Sequence, residues 1–105
     1  MIDQTSAESA LLRLQQSAEE FEDATLAAKL AAYKAKEMEG IVAAELKESG
    51  VPITLIPKLV HKDPRCIEAG QDEAKASAFL AGVNARREGW KVEVSFYQSL
   101  VKDRF

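Results

Sequence analysis

All three prolines of this chain, Pro52, Pro57 and Pro64, lie between residues 52 and 64, next to Gly50 and Asp63. Every strong helix-stop and helix-start signal therefore sits in one stretch, Glu48 to Arg65. Gly50 followed by Pro52 ends a helix, because glycine takes the left-handed cap freely and proline cannot continue the hydrogen-bond ladder. Asp63-Pro64 begins another: the carboxylate caps the free amides of the first turn, and proline loses nothing at a position whose N–H has no partner in the helix. The flanking runs are rich in Ala, Glu, Lys and Leu and contain no further proline. The pattern predicts an all-α single domain, a long antiparallel coiled-coil-like helical hairpin. Its helices span about 6–49 and about 64–102, with a short capping helix in the corner, 50–62.

Thr5 or Ser6 is the expected cap of the first helix, with Glu8 completing a capping box if Thr5 is used. Leu11, Leu14, Ala18, Phe21, Thr25, Ala28, Ala32, Ala35, Glu39, Val42 and Leu46 then follow alternating three- and four-residue steps, a coiled-coil seam. A second stripe through Leu26, Leu30, Tyr33, Met38 and Ile41 widens the apolar face enough for more than one neighbour. Gly40 costs about 1 kcal/mol relative to alanine inside a helix and suggests a kink or a close neighbour. In the corner, Thr54 is the expected cap of a short helix whose Leu55, Ile56, Leu59 and Val60 fold back over the hairpin end. The second helix offers Ile67, Ala74, Ala78 and Ala81, then Val83, Trp90, Val94, Tyr97 and Val101. Residues 90–97 also alternate apolar and polar after Gly89, which is strand patterning; helix to the end is the preferred reading.

A two-helix hairpin buries one stripe per helix and is marginal alone, so a homo-oligomer is expected, a dimeric four-helix bundle or elongated dimer. Net charge is −3 but uneven: residues 1–50 carry ten acids against five bases, residues 51–105 seven against nine. That asymmetry favours antiparallel pairing. No run of about 18 apolar residues suggests a membrane span, and the first residues lack a basic and apolar leader, so the expectation is a cytoplasmic protein. One cysteine and one histidine, Cys66 and His61, leave too few soft ligands for zinc. Neither a metal nor a cofactor is expected.

Lys58, His61, Lys62 and Arg65 gather at the corner near the positive end of the second helix, the best candidate for contact with a phosphate or nucleic-acid backbone. Asp63 already occupies the cap there. Trp90, Tyr97, Val101 and Phe105 concentrate aromatic and apolar surface near the C-terminal end, a seam or a partner-docking face. The Glu19, Glu20, Glu22, Asp23 cluster surrounds Phe21 and reads first as a solvated helix face. Arg86-Arg87 is expected to divide between a salt bridge to the first helix and solvent. Cys66, in a first helical turn beside Arg65, has a setting that lowers a thiol pKa, though a small apolar packing role is the simpler reading. No phosphate loop, metalloprotease pair or nucleophile elbow is present, and no catalytic residues are expected.

The tracts Tyr33-Lys-Ala-Lys36 and Ala44-Glu-Leu-Lys-Glu-Ser-Gly-Val-Pro52, the short Leu55-Ile-Pro-Lys-Leu-Val60, the acidic start at Asp63 and the closing Tyr97-Gln-Ser-Leu-Val-Lys102 resemble small helical-hairpin proteins of tailed bacteriophages and prophages. Those are often encoded near single-strand annealing recombination genes. The resemblance covers about residues 26–102 and implies a phage context and a helical C-terminal segment; residues 89–94 depart from it. The resulting expectation is a non-enzymatic accessory or adaptor protein of phage DNA metabolism that works through protein contacts on a helical face. The alternatives are direct nucleic-acid binding at the basic corner and an acidic inhibitor of a host DNA-binding or defence protein.

Overall fold

A computed structural model of the chain describes residues 4–102 in backbone and 4–100 in side chains. It contains three helices, α1 (Gln4–Glu48), α2 (Ile56–Lys62) and α3 (Pro64–Lys102), and no strand among the described residues. The long helical hairpin read from the sequence is the fold, and α3 runs unbroken through Gly89 and residues 90–97. A strand there would need a ladder partner. Gly89 is exposed, so its cost stays within what the surrounding helix can carry. Thr5 and Ser6 lie within the described span of α1, Gln4–Glu48.

The corner follows from single residues. Gly50 has φ +81°, the left-handed conformation that a side chain would strain. Its N–H donates to the Lys47 carbonyl at 3.1 Å, and the Val51 N–H donates to the Leu46 carbonyl at 3.1 Å. These two bonds form a Schellman cap that satisfies the last carbonyls of α1. At the other side Asp63 Oδ1 accepts from the Arg65 amide at 2.8 Å, the expected cap of α3. Between them α2 departs from expectation. Leu55, not Thr54, stands at its N-cap and supplies no side-chain bond, and Pro57 occupies its first turn. Only Val60 of α2 is buried, with Ile56 half-buried and Leu55 and Leu59 exposed, so the apolar plug is narrower than the sequence suggested.

The packing forms two compact units, residues 1–25 with 79–105, and residues 26–78. In the first, the N-terminal part of α1 lies against the C-terminal part of α3. Ala10, Ser17, Ala24, Val83 and Val94 are buried, with Ala10 at 0% and Val83 at 1% exposure. Ser17 is accommodated because its hydroxyl donates to the Leu14 carbonyl at 2.6 Å, and Thr25 does the same to Phe21 at 2.7 Å. Two arginines pack by their planes: Arg13 lies 5.0 Å from the Trp90 ring centroid and Arg87 5.1 Å from that of Phe21. In the second unit, Ala35, Val42 (1% exposed) and Val60 are buried.

The inward face of α1 is Ala10, Leu14, Ser17, Phe21, Ala24, Ala28, Ala31, Ala35, Met38, Val42 and Leu46. Most of the expected seam stands: Leu14, Ala18, Phe21, Thr25, Ala28, Ala32, Ala35, Val42 and Leu46 are buried or half-buried. Leu11 and Glu39 are exposed, and their neighbours Ala10 and Met38 face inward in their place; Ser17 and Ala24 are buried more deeply than the adjacent Ala18 and Thr25. On α3 the inward residues are Cys66, Ala69, Glu73, Ala76, Leu80, Val83, Arg87, Trp90, Val94 and Tyr97. Ile67, Ala74, Ala78 and Ala81 point outward, whereas the set from Val83 to Tyr97 lies where its spacing put it. Gly40 is exposed, and a Cβ there would meet nothing within 4 Å, so no neighbour packs against it.

Candidate functional site

The second unit carries two adjoining features, a charged staple at the corner and an apolar groove beside it. Arg65 forms the staple. Its Nη2 and Nη1 donate to Glu45 Oε2 at 2.6 Å and Oε1 at 3.1 Å, while Nε and Nη2 donate to Asp63 Oδ1 and Oδ2, each at 3.2 Å. Such a fork fixes the guanidinium by geometry as well as charge. It ties the end of α1 to the start of α3 across 20 residues of sequence. The Arg65 hydrogen bond holds the Glu45 carboxyl below its ordinary value, and Arg65, by side chain and amide, does the same to Asp63. The two carboxylates in turn raise Arg65.

Because both carboxyl groups bind protons less readily in the folded chain than in the unfolded one, the staple stabilises the fold above their ordinary values of 4.5 and 3.8. That stabilisation is lost as pH falls through the lower folded values. Arg65→Met is therefore expected to melt below the parent near neutral pH, with the gap closing on acidification. Thermal melts by circular dichroism over a pH series measure this. A gap that stays constant into acid would show that the staple does not act through its carboxylates.

Arg65 is thus engaged, whereas Lys58, His61 and Lys62 are exposed on α2 and make no ion pair with a described residue. Cys66 faces inward, and burial, together with the nearby carboxylates of Asp63 and Glu39, pushes its thiol pKa up. The lowered value suggested by its helix-start position does not arise, because these effects outweigh Arg65. Arg86 and Arg87 likewise make no salt bridge to α1: Arg86 is exposed, and Arg87 turns inward onto Phe21 with its Nε buried and without a hydrogen-bond partner.

Beside the staple runs a groove of about 600 Å³. Ala27, Leu30, Ala31, Met38 and Ile41 of α1 and Ala69 of α3 form its apolar lining; Lys34 and Glu37 stand on the α1 wall, Arg65, Glu68 and Asp72 on the α3 wall. Along its α1 edge the second stripe is open to solvent, Leu26 at 58% and Tyr33 at 73% exposure, with Leu30 and Ile41 close to half exposed. The sequence pointed to this stripe, but not to its acidic wall. The signal for that wall was the spacing of Arg65, Glu68 and Asp72, three and then four residues apart, which puts all three on one side of α3.

The C-terminal candidates lie in the first unit. Trp90 is half-buried beneath Arg13 and borders a small depression of about 260 Å³ with Arg13, Gln16, Ser17, Glu20 and Arg86. Tyr97 is half-buried on the inward side, its ring edge-on to the exposed Phe96 at 5.8 Å. The side chain of Val101, and Phe105 entirely, lie outside the described residues. Among the described residues no cluster of His, Cys, Asp and Glu is grouped to hold a metal ion, and no helix is long and apolar enough to cross a membrane. The chain matches no protein-family model, no curated protein and no solved structure.

Proposed function

We propose that the chain is a non-enzymatic accessory or adaptor protein that acts through protein contacts on a helical face, in phage DNA metabolism within the host cytoplasm. The carrying observation is the stripe Leu26, Leu30, Tyr33 and Ile41, large apolar side chains left open beside an apolar groove. Soluble domains seldom leave a contiguous apolar face without a partner. The phage setting rests on the resemblance of residues 26–102 to phage and prophage hairpin proteins. The competing reading, a nucleic-acid binder, draws on Lys58, His61 and Lys62, which remain uncommitted on α2, but it loses Arg65 to the staple.

Fluorescence-anisotropy titration of labelled single- and double-stranded oligonucleotides separates the two readings. The adaptor reading expects no binding at low or near-physiological salt. Binding that weakens steeply with salt and disappears in Lys58→Glu/Lys62→Glu would overturn it in favour of a phosphate-contacting corner.

A further inference from the structure

In the first unit the side of α3 turned away from the core carries a seam of its own. Gly82, Ala85, Gly89, Val92 and Phe96 follow steps of three, four, three and four residues, and all five are exposed. Val92 and Phe96 are large apolar side chains left open to solvent. Each glycine weakens a helix relative to alanine, yet nothing in the chain lies within 4 Å of where a Cβ would stand at Gly82 or Gly89, so no intrachain neighbour requires them. Phe79, Arg86, Glu93 and Leu100 flank the seam on one side, Glu88 and Ser95 on the other. Glu88 pairs with Lys91 at 3.0 Å, whereas Arg86 and Glu93 make no ion pair with a described residue.

We propose that this seam pairs with the same seam of a second copy of the chain, antiparallel, about a two-fold axis that crosses between residues 90 and 91. A two-fold interface must be self-complementary, each contact being made twice, and this alignment is so position by position. Phe96 lies opposite Ala85 of the other copy and Val92 opposite Gly89, so each large side chain enters the space left by a small one. Beside the seam Arg86 meets Glu93 of the other copy, Phe79 meets Leu100, and Glu88 meets the uncharged Ser95. The other alignments of two such helices fail on charge. Parallel copies set Glu88 against Glu93 twice. Sliding the antiparallel pair by one heptad sets Arg86 against Arg86 and Glu88 against Glu88 in one direction, and Glu93 against Glu93 in the other. The dimer uses no residue of the α1 stripe on which the adaptor reading rests, and it goes beyond that reading without depending on it.

The test is sedimentation velocity of the full chain across a wide concentration range, where the expected result is a particle of twice the 11.5 kDa chain mass. Arg86→Glu and Glu93→Arg are each expected to weaken the dimer on the order of tenfold, since two pairs become repulsive. An equal mixture of the two variants is expected to form a heterodimer as tight as the parent, because both pairs then join Glu to Arg again. Val92→Asp is expected to abolish the dimer. Val92 is open in the single chain, so the same substitution leaves the unfolding of the dilute, monomeric protein unchanged. Circular dichroism on each variant reads helicity independently. A chain that stays monomeric at every concentration, a dimer indifferent to both charge changes, or variants that fail to pair with each other overturn the proposal. A dimer that Glu93→Arg strengthens, as parallel pairing against Glu88 requires, overturns it as well.

Discussion

Val83→Asp is expected to abolish cooperative folding of the chain or leave it only residually stable. Val83 is 1% exposed at the α1–α3 seam of the first unit, one helical turn before the inward-turned Arg87. Losing a buried valine side chain forfeits about 1.5 to 3 kcal/mol of transfer energy, and desolvating a carboxylate in its place adds several kcal/mol more, which a pair with Arg87 would offset only in part. The sum is comparable with the roughly 5 to 15 kcal/mol that holds an ordinary domain together. Val92→Asp is the informative control. At 70% exposure it should shift stability by no more than about 0.5 kcal/mol. A strand over residues 90–97 would put Val92 on the same face as Trp90 and Val94, so a severe Val92→Asp would contradict the helix. Urea unfolding followed by circular dichroism reads both variants.

Ala24→Leu is the second large effect. Ala24 is 3% exposed in a seam whose buried α1 positions are mostly alanine, so three additional heavy atoms have to displace the facing helix or adopt strained rotamers. Overpacking of this kind costs about 1 to 3 kcal/mol. The exposed Ala44→Leu should remain within about 0.5 kcal/mol of the parent. Equal stability of Ala24→Leu and the parent would mean that the seam has room, and that alanine there reflects composition rather than fit.

What was legible in the sequence was what single residues decide by local chemistry. Gly50 and Asp63 each control one turn of backbone, and both caps are formed as their residue types require. Helix length follows from the confinement of proline to the corner. The inward face is harder to read because side-chain size is a poor mark of burial in this seam. In the pairs Ala10 and Leu11, and Cys66 and Ile67, the smaller residue faces inward and the larger faces solvent. Where the seam uses large residues, from Val83 to Tyr97, spacing alone located it. Within the candidate site, the basic corner and the apolar stripe were visible as patterns on one element each. The capture of Arg65 by Glu45 was not, because it joins residues 20 apart that meet only after the chain has turned.

The alanine seam leaves the matching of the two long helices underdetermined along its middle. Ala24 and Ala31 are one heptad apart, as are Ala28 and Ala35, so sliding α1 by seven residues would keep alanine at two of these four sites and bring Met38 and Val42, or Ser17 and Phe21, to the other two. What excludes the shifted alignment is the corner. A Schellman cap at Gly50, a fixed N-cap at Asp63 and the Arg65 fork onto Glu45 set how much chain is spent on the turn. Phe21 and Val42 add to the penalty, because a shift carries one or the other into a site that alanine fills. Within the second unit, registration is therefore encoded chiefly at the corner, with the few large side chains of the seam as a second check.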